Sequence, residues 1–198
     1  FAKRQRTCAS ANNNTFKNCI AYGSLDATYG YGFATDVSLT GCVFINCLAM
    51  GCTTQGFKGL SNSTRYYNCV SVRNGYGYTV AASGTFTASN CYAGGNTHPC
   101  NDPDATTTFT LTTCACDTND TYAFGSLIAY TASGTAGTRF TNITSGTEDI
   151  HIAEATSSLI SAGTDLTATV TLAIPDIDNN TRRSGAAWDI GCHEYQAA

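Results

Sequence analysis

Apolar and polar residues alternate in short runs broken by Asn and Gly, and no stretch keeps the period of an amphipathic helix. One phrase recurs. It reads Phe16-Lys17-Asn18-Cys19-Ile20-Ala21-Tyr22, then Phe44-Ile45-Asn46-Cys47-Leu48-Ala49-Met50, then Tyr66-Tyr67-Asn68-Cys69-Val70-Ser71-Val72. A fourth copy around Cys91 has lost the leading aromatic, and a fifth around Cys114 has lost the asparagine. Successive cysteines of the phrase stand 28, 22, 22 and 23 residues apart. A period in the low twenties built from short β-type runs predicts a stacked solenoid. The leucine framework of a leucine-rich repeat is absent. The pattern predicts an all-β, single right-handed parallel β-helix with coils of about 22–28 residues.

In such a fold each coil lies about 4.8 Å from the last, so equivalent residues form columns. Phe16, Phe44, Tyr66, Ala88 and Leu111 make one predicted interior column. Asn18, Asn46, Asn68 and Asn90 make another, at a bend where asparagine tolerates the left-handed conformation and stacked amides can bond to one another. That bend puts Cys19, Cys47, Cys69, Cys91 and Cys114 inside, with Ala21, Ala49, Ser71, Ala93 and Cys116 two residues on. The opposite parity buries Ile20, Leu48, Val70 and Tyr92, and the sequence leaves both open. With the cysteines inside, those four become an outer apolar stripe that asks for a partner surface.

Composition narrows the functional classes. The chain has 198 residues, net charge −4, and only 12% charged residues. Nothing suggests a nucleic-acid groove or membrane insertion. No signal-peptide pattern is present, and the chain opens at Phe1 as if processed or cut from something longer. Eleven cysteines is an odd number, so at least one is not paired within the chain. The column cysteines read as small apolar fillers; Cys8, Cys42, Cys52, Cys100 and Cys192 are the better candidates for bridges.

Candidate chemistry is sparse. Residues 37–101 hold no Asp or Glu, and Lys58, Arg65 and Arg73 are the formal charges there. Together with Tyr76, Tyr78 and Tyr92 they form a candidate sugar-binding set, since aromatic faces stack on sugar rings. Asp102, Asp104, Asp117 and Asp120 are the alternative catalytic set, for a polysaccharide lyase or glycoside hydrolase. Asp102 and Asp104 are also a weak calcium alternative. No cofactor is expected. His98, His151 and His193 have no nucleophile motif beside them. Two Thr pairs, Thr85/Thr87 and Thr108/Thr110, are too few rows for an ice-binding plane.

The texture changes near residue 140, which divides coils (1–140) from a last coil and C-terminal cap (141–198). The tail carries Asp176, Asp178, Arg182, Trp188, Asp189, Ile190, Gly191, Glu194 and Tyr195. It resembles the C-terminal region of choice-of-anchor-type bacterial surface β-helix proteins, with similar tails in phage β-helix proteins. Asn179-Asn180 stands where that family has Asp-Gly, Cys192-His193 where it has Ala and a variable residue, and Leu159 where a proline is usual. The resemblance covers roughly residues 140–195 and implies the fold and an extracellular, cell-surface or virion location, not a reaction. Physically, Arg182, Trp188, Asp189, Glu194 and Tyr195 are expected to cap or flank the last coil, where unpaired backbone groups template aggregation. The expected role is a non-enzymatic structural or adhesive module that self-associates or packs on neighbouring subunits, with polysaccharide as a further ligand.

Overall fold

The computed structural model describes residues 6–8, 12–35, 39–60, 63–80, 85–101, 108–116, 139–144, 147, 149–153, 157, 159–170, 175–182 and 186–195. The first coil is β1 (Arg6–Cys8), β2 (Thr15–Lys17) and β3 (Ile20–Tyr22). The second is β4 (Tyr31–Thr35), β5 (Val43–Ile45) and β6 (Leu48–Met50); the third is β7 (Gln55–Gly59), β8 (Ser63–Tyr67) and β9 (Val70–Val72). Then come β10 (Tyr76–Val80), β11 (Thr85–Ser89) and β12 (Tyr92–Gly94), and β13 (His98–Asn101), β14 (Thr108–Thr112) and β15 (Ala115–Cys116). Each coil gives one strand to each of three five-stranded sheets, β1-β4-β7-β10-β13, β2-β5-β8-β11-β14 and β3-β6-β9-β12-β15, with every pairing parallel. The chain is a parallel β-solenoid.

The repeated phrase spans the corner between the second and third sheets. Asn18, Asn46, Asn68 and Asn90 have φ of 52°, 49°, 51° and 54°, and Thr113 takes the same bend at 51° in the coil that lacks the asparagine. Asn46 Nδ2 donates to Asn18 Oδ1 (3.1 Å), and Asn68 Nδ2 to Asn46 Oδ1 (3.2 Å). The bend resets the alternation and turns the cysteines inward. Cys47, Cys69, Cys91 and Cys114 are buried in the interior cluster, with Cys19 packed against it. Their thiols point at the carbonyl two residues back, as Cys47 Sγ does to Ile45 O (3.3 Å) and Cys69 Sγ to Tyr67 O (3.4 Å). Burial pushes the Cys69 and Cys114 thiols up. Cys42, Cys52 and Cys192 are also free and buried, which corrects their assignment as bridge candidates; the side chains of Cys8 and Cys100 lie outside the described set.

Two aromatic stacks fill the rest of the interior. Phe16, Phe44 and Tyr66 stack at 5.1 and 5.3 Å, and Phe33, Phe57 and Tyr78 at 5.0 and 5.0 Å. The stacks meet edge to face, as at Phe44–Phe57 (5.9 Å) and Tyr66–Tyr78 (5.4 Å). Where Ala88 leaves the first stack short, Phe86 supplies the ring, 5.0 Å from Tyr66. Such pairs add about 0.5–1.5 kcal/mol each beyond their burial.

The tail runs along the side of the solenoid. β16 (Phe140–Asn142) and β17 (Asp149–Ile152) form an antiparallel pair. Phe140, Ile150, Ile152, Leu159, Ile190 and Cys192 bury Leu48, Met50, Val70, Val72, Tyr92 and Ala115, on the outer side of the third sheet. Leu166, Val170 and Trp188 bury Ile45 and Tyr67 on the second sheet. Between these patches the tail backbone binds the asparagine column: Asn46 Nδ2 donates to Pro175 O (2.8 Å) and Asn90 Nδ2 to Thr164 O (2.7 Å). Gly191 sits at φ 109°, donates its N–H to Asn90 O (2.8 Å), and has Val70 where a Cβ would stand, at 2.9 Å. The outer apolar stripe therefore has its partner, and over coils two to five that partner is the chain itself.

Candidate functional site

The sugar-binding set does not form one surface. Tyr78 is fully buried in the interior stack, where its hydroxyl donates to Cys69 O (3.1 Å). Tyr92 is fully buried under the tail, edge-on to Phe140 (5.2 Å) and beneath the Arg139 guanidinium (5.3 Å). These positions correct the expectation that both face a ligand: each ring finds a better-packed place than solvent. Lys58 and Tyr76 share the first sheet. Lys58 Nζ donates to Tyr31 Oη (2.8 Å), and Tyr76 stacks on His98 (4.9 Å). Arg65 is exposed on β8, and Arg73 occupies the corner after β9 with φ 55°. Asp102, Asp104, Asp117 and Asp120, the catalytic and calcium alternatives, lie outside the described residues.

The predicted capping residues form a closed network, which among the described residues lies on the flank of the coils. Trp188 packs with Ile45 and Tyr67, of the second and third coils. Buried Arg182 lies over Trp188 (5.4 Å) and donates to Glu194 Oε2 (2.7 Å) and to Gly191 O (2.8 Å). Burial raises the Glu194 carboxyl more than the guanidinium lowers it, and burial lowers Arg182 in turn. Desolvation of such a buried pair offsets much of its Coulombic attraction. Asp189 accepts the Ser161 N–H (2.7 Å) and the Tyr195 N–H (2.5 Å). Asp176 accepts the N–H groups of Asp178 (2.9 Å), Asn180 (2.8 Å) and Glu194 (2.8 Å). Every acid of this network is committed to holding backbone.

One group stands apart. A cleft of about 550 Å³ opens where the tail meets the first two coils, lined by Ile20, Tyr22, Leu48, Met50, Asp149, Ile150, His151, Asp178 and His193. In β17, Ile150 and Ile152 point inward, and the alternation turns His151 out. The tail loop brings Asp178 and His193 to it. Asp178 Oδ2 accepts from His193 Nδ1 (2.6 Å) and from His151 Nε2 (3.0 Å). The other ring nitrogen of His151 bonds Asp149 Oδ1. The two imidazoles are pushed apart: the bond to Asp149 raises His151, and burial lowers His193. The cleft thus offers an apolar floor and a polar rim of two histidines and two carboxylates. Sequence reading missed it because residues 149, 178 and 193 share no spacing motif.

The floor is open at one end. Ile20 is 63% exposed and Tyr22 45%, while Leu48 and Met50, one coil on in the same columns, are 4% exposed. Leu25 (66%) and Tyr29 (59%) are also exposed, in the segment that follows β3. Among the described residues no helix is long and apolar enough to cross a membrane. No family model matches this chain, and neither curated proteins nor solved structures yielded a match.

Proposed function

We propose that this chain is a non-enzymatic structural or adhesive module of a cell surface or virion, which docks a partner subunit through its first coil. The observation that carries the reading is the bare start of an otherwise sheathed stripe. The tail covers Leu48, Met50, Val70, Val72 and Tyr92 but leaves Ile20 largely exposed and Tyr22 partly so. Exposed apolar side chains that line a cleft beside a polar rim are a feature of interaction surfaces. The first occupant we assign is a second copy of the chain. The resemblance of the tail to surface and phage β-helix proteins supports the location. Polysaccharide binding is a second reading, favoured by exposed Tyr29, which meets Tyr31 edge-on (6.3 Å) beside Lys58.

Sedimentation velocity over a concentration series tests the docking. Wild type should associate, and Ile20→Asp should weaken association about tenfold or more, the scale of one lost apolar contact of about 1.4 kcal/mol. Because Ile20 is exposed, the fold should survive the change. A monodisperse wild-type monomer at high concentration overturns the docking proposal.

A further inference from the structure

The rim of the cleft carries a second inference, independent of whether the first coil docks a partner. We propose that His151, Asp178 and His193 bind one divalent transition-metal ion of the zinc class. A ligand atom from each lies within 4.8 Å of the others. Tetrahedral ligands on zinc, with bonds of roughly 2.0–2.1 Å, sit roughly 3.4 Å apart. The His151–Asp178 and His193–Asp178 separations of 3.0 and 2.6 Å therefore need only small opening.

The donor set decides the class of ion. Two imidazoles and one carboxylate suit a borderline cation such as Zn²⁺. Calcium and magnesium prefer an all-oxygen shell, which this rim does not offer. Asp149 supplies an independent sign of a built site. It holds the His151 ring nitrogen that faces away from Asp178, and its Oδ1 also accepts the His151 backbone N–H (3.1 Å). A carboxylate behind an imidazole in this way fixes the tautomer and aims the free nitrogen at a metal.

The other two ligands are held by bonds outside the cluster. Asp178 lies in the turn whose N–H groups Asp176 accepts. His193 lies between Cys192, whose carbonyl accepts the Ile177 N–H (3.0 Å), and Glu194, whose N–H bonds Asp176 (2.8 Å). The scaffold is thus set before an ion arrives. Three protein ligands leave a fourth position for water or for a donor atom from whatever enters the cleft.

The test uses the full chain, stripped of metal and titrated with Zn²⁺ alone. The chain has three histidines, so its imidazole ¹H–¹⁵N resonances are assignable. One equivalent of Zn²⁺ should move the rings of His151 and His193 and leave His98 in place. Calorimetry should give one site per chain. Asp149→Asn should weaken it about 10–100-fold, and His193→Ala by more. Cobalt substitution should show no thiolate charge-transfer band. If His193→Ala fails to fold, the wild-type ring resonances and Asp149→Asn still decide. Rings that do not respond to Zn²⁺ would show that the cluster is only a hydrogen-bond network and overturn the proposal. So would zinc affinity that survives loss of either histidine, or a thiolate band.

Discussion

Asn68 is the sharpest test of the corner that organises the coils. It is fully buried at φ 51°, and its Nδ2 donates to Asn46 Oδ1 at 3.2 Å. Its own Oδ1 has no partner, because Asn90, the next in the column, turns its amide to Thr164 of the tail instead. Asn68→Ala places a Cβ-bearing residue without a polar group in the left-handed region, at about 1–2 kcal/mol. It also loses a hydrogen bond with a net worth of about 0.5–1.5 kcal/mol. Removing the unpartnered Oδ1 returns a fraction of that, so the expected loss is about 2 kcal/mol. For a chain of this size that lowers Tm by about 4–8 °C. Asn68→Gly loses the same bond but adopts the bend freely, and should be less destabilised than Ala by about 1 kcal/mol. Asn68→Asp keeps the shape but sets an acceptor against Asn46 Oδ1 in a buried place, and should be the worst of the three. Thermal and urea unfolding followed by circular dichroism read the order Gly, Ala, Asp. If Ala proves as stable as Gly, the left-handed bend is not what the asparagine column is for.

The other corner offers the reverse experiment. Gly23, Gly51 and Gly95 occupy it at φ 62°, 66° and 61°, with Arg73 in the same column at 55°. Arg73→Gly and Arg73→Ala lose the same side chain, so in urea titration the glycine variant should be more stable than the alanine variant by about 0.5–1 kcal/mol, and equal midpoints would count against strain at this site. Truncation after Pro175 removes Trp188, Ile190 and Cys192 from over Ile45, Tyr67 and Val70, each worth about 1.5–3 kcal/mol when fully buried. The shortened chain should aggregate and bind a hydrophobic dye; a soluble, equally stable product would contradict the sheathing role of the tail.

The repeat was legible because the phrase contains its own geometry. Asparagine before cysteine is a bend signal, and the bend recurs from coil to coil, down to Thr113 where the asparagine is missing. The parity was not legible because both faces are apolar and both are buried, one by the coil and the other by the tail. Tyr78 shows why a tyrosine is a poor marker of exposure: an interior carbonyl satisfies its hydroxyl as well as water does. Arg182, Asp189 and Glu194 were readable as a self-contained unit because one cation and two carboxylates stand within one short segment. That the unit lies along the side of the rod depends on contacts with Ile45, Tyr67 and Val70, more than 100 residues away, and no local pattern encodes those. The histidine cleft has the same cause.

The proposed role, in which the molecule binds or builds and does not cleave, can be tested directly. The direct measurement is incubation of the full chain with a panel of acidic and neutral polysaccharides, with and without Ca²⁺ and Zn²⁺, following release of new chain ends over time. A binding or structural module should release no product under any condition, whatever the binding or association observed. Time-dependent product from the wild type, abolished by Asp102→Ala or Asp117→Ala, would contradict it and establish the carbohydrate-active alternative.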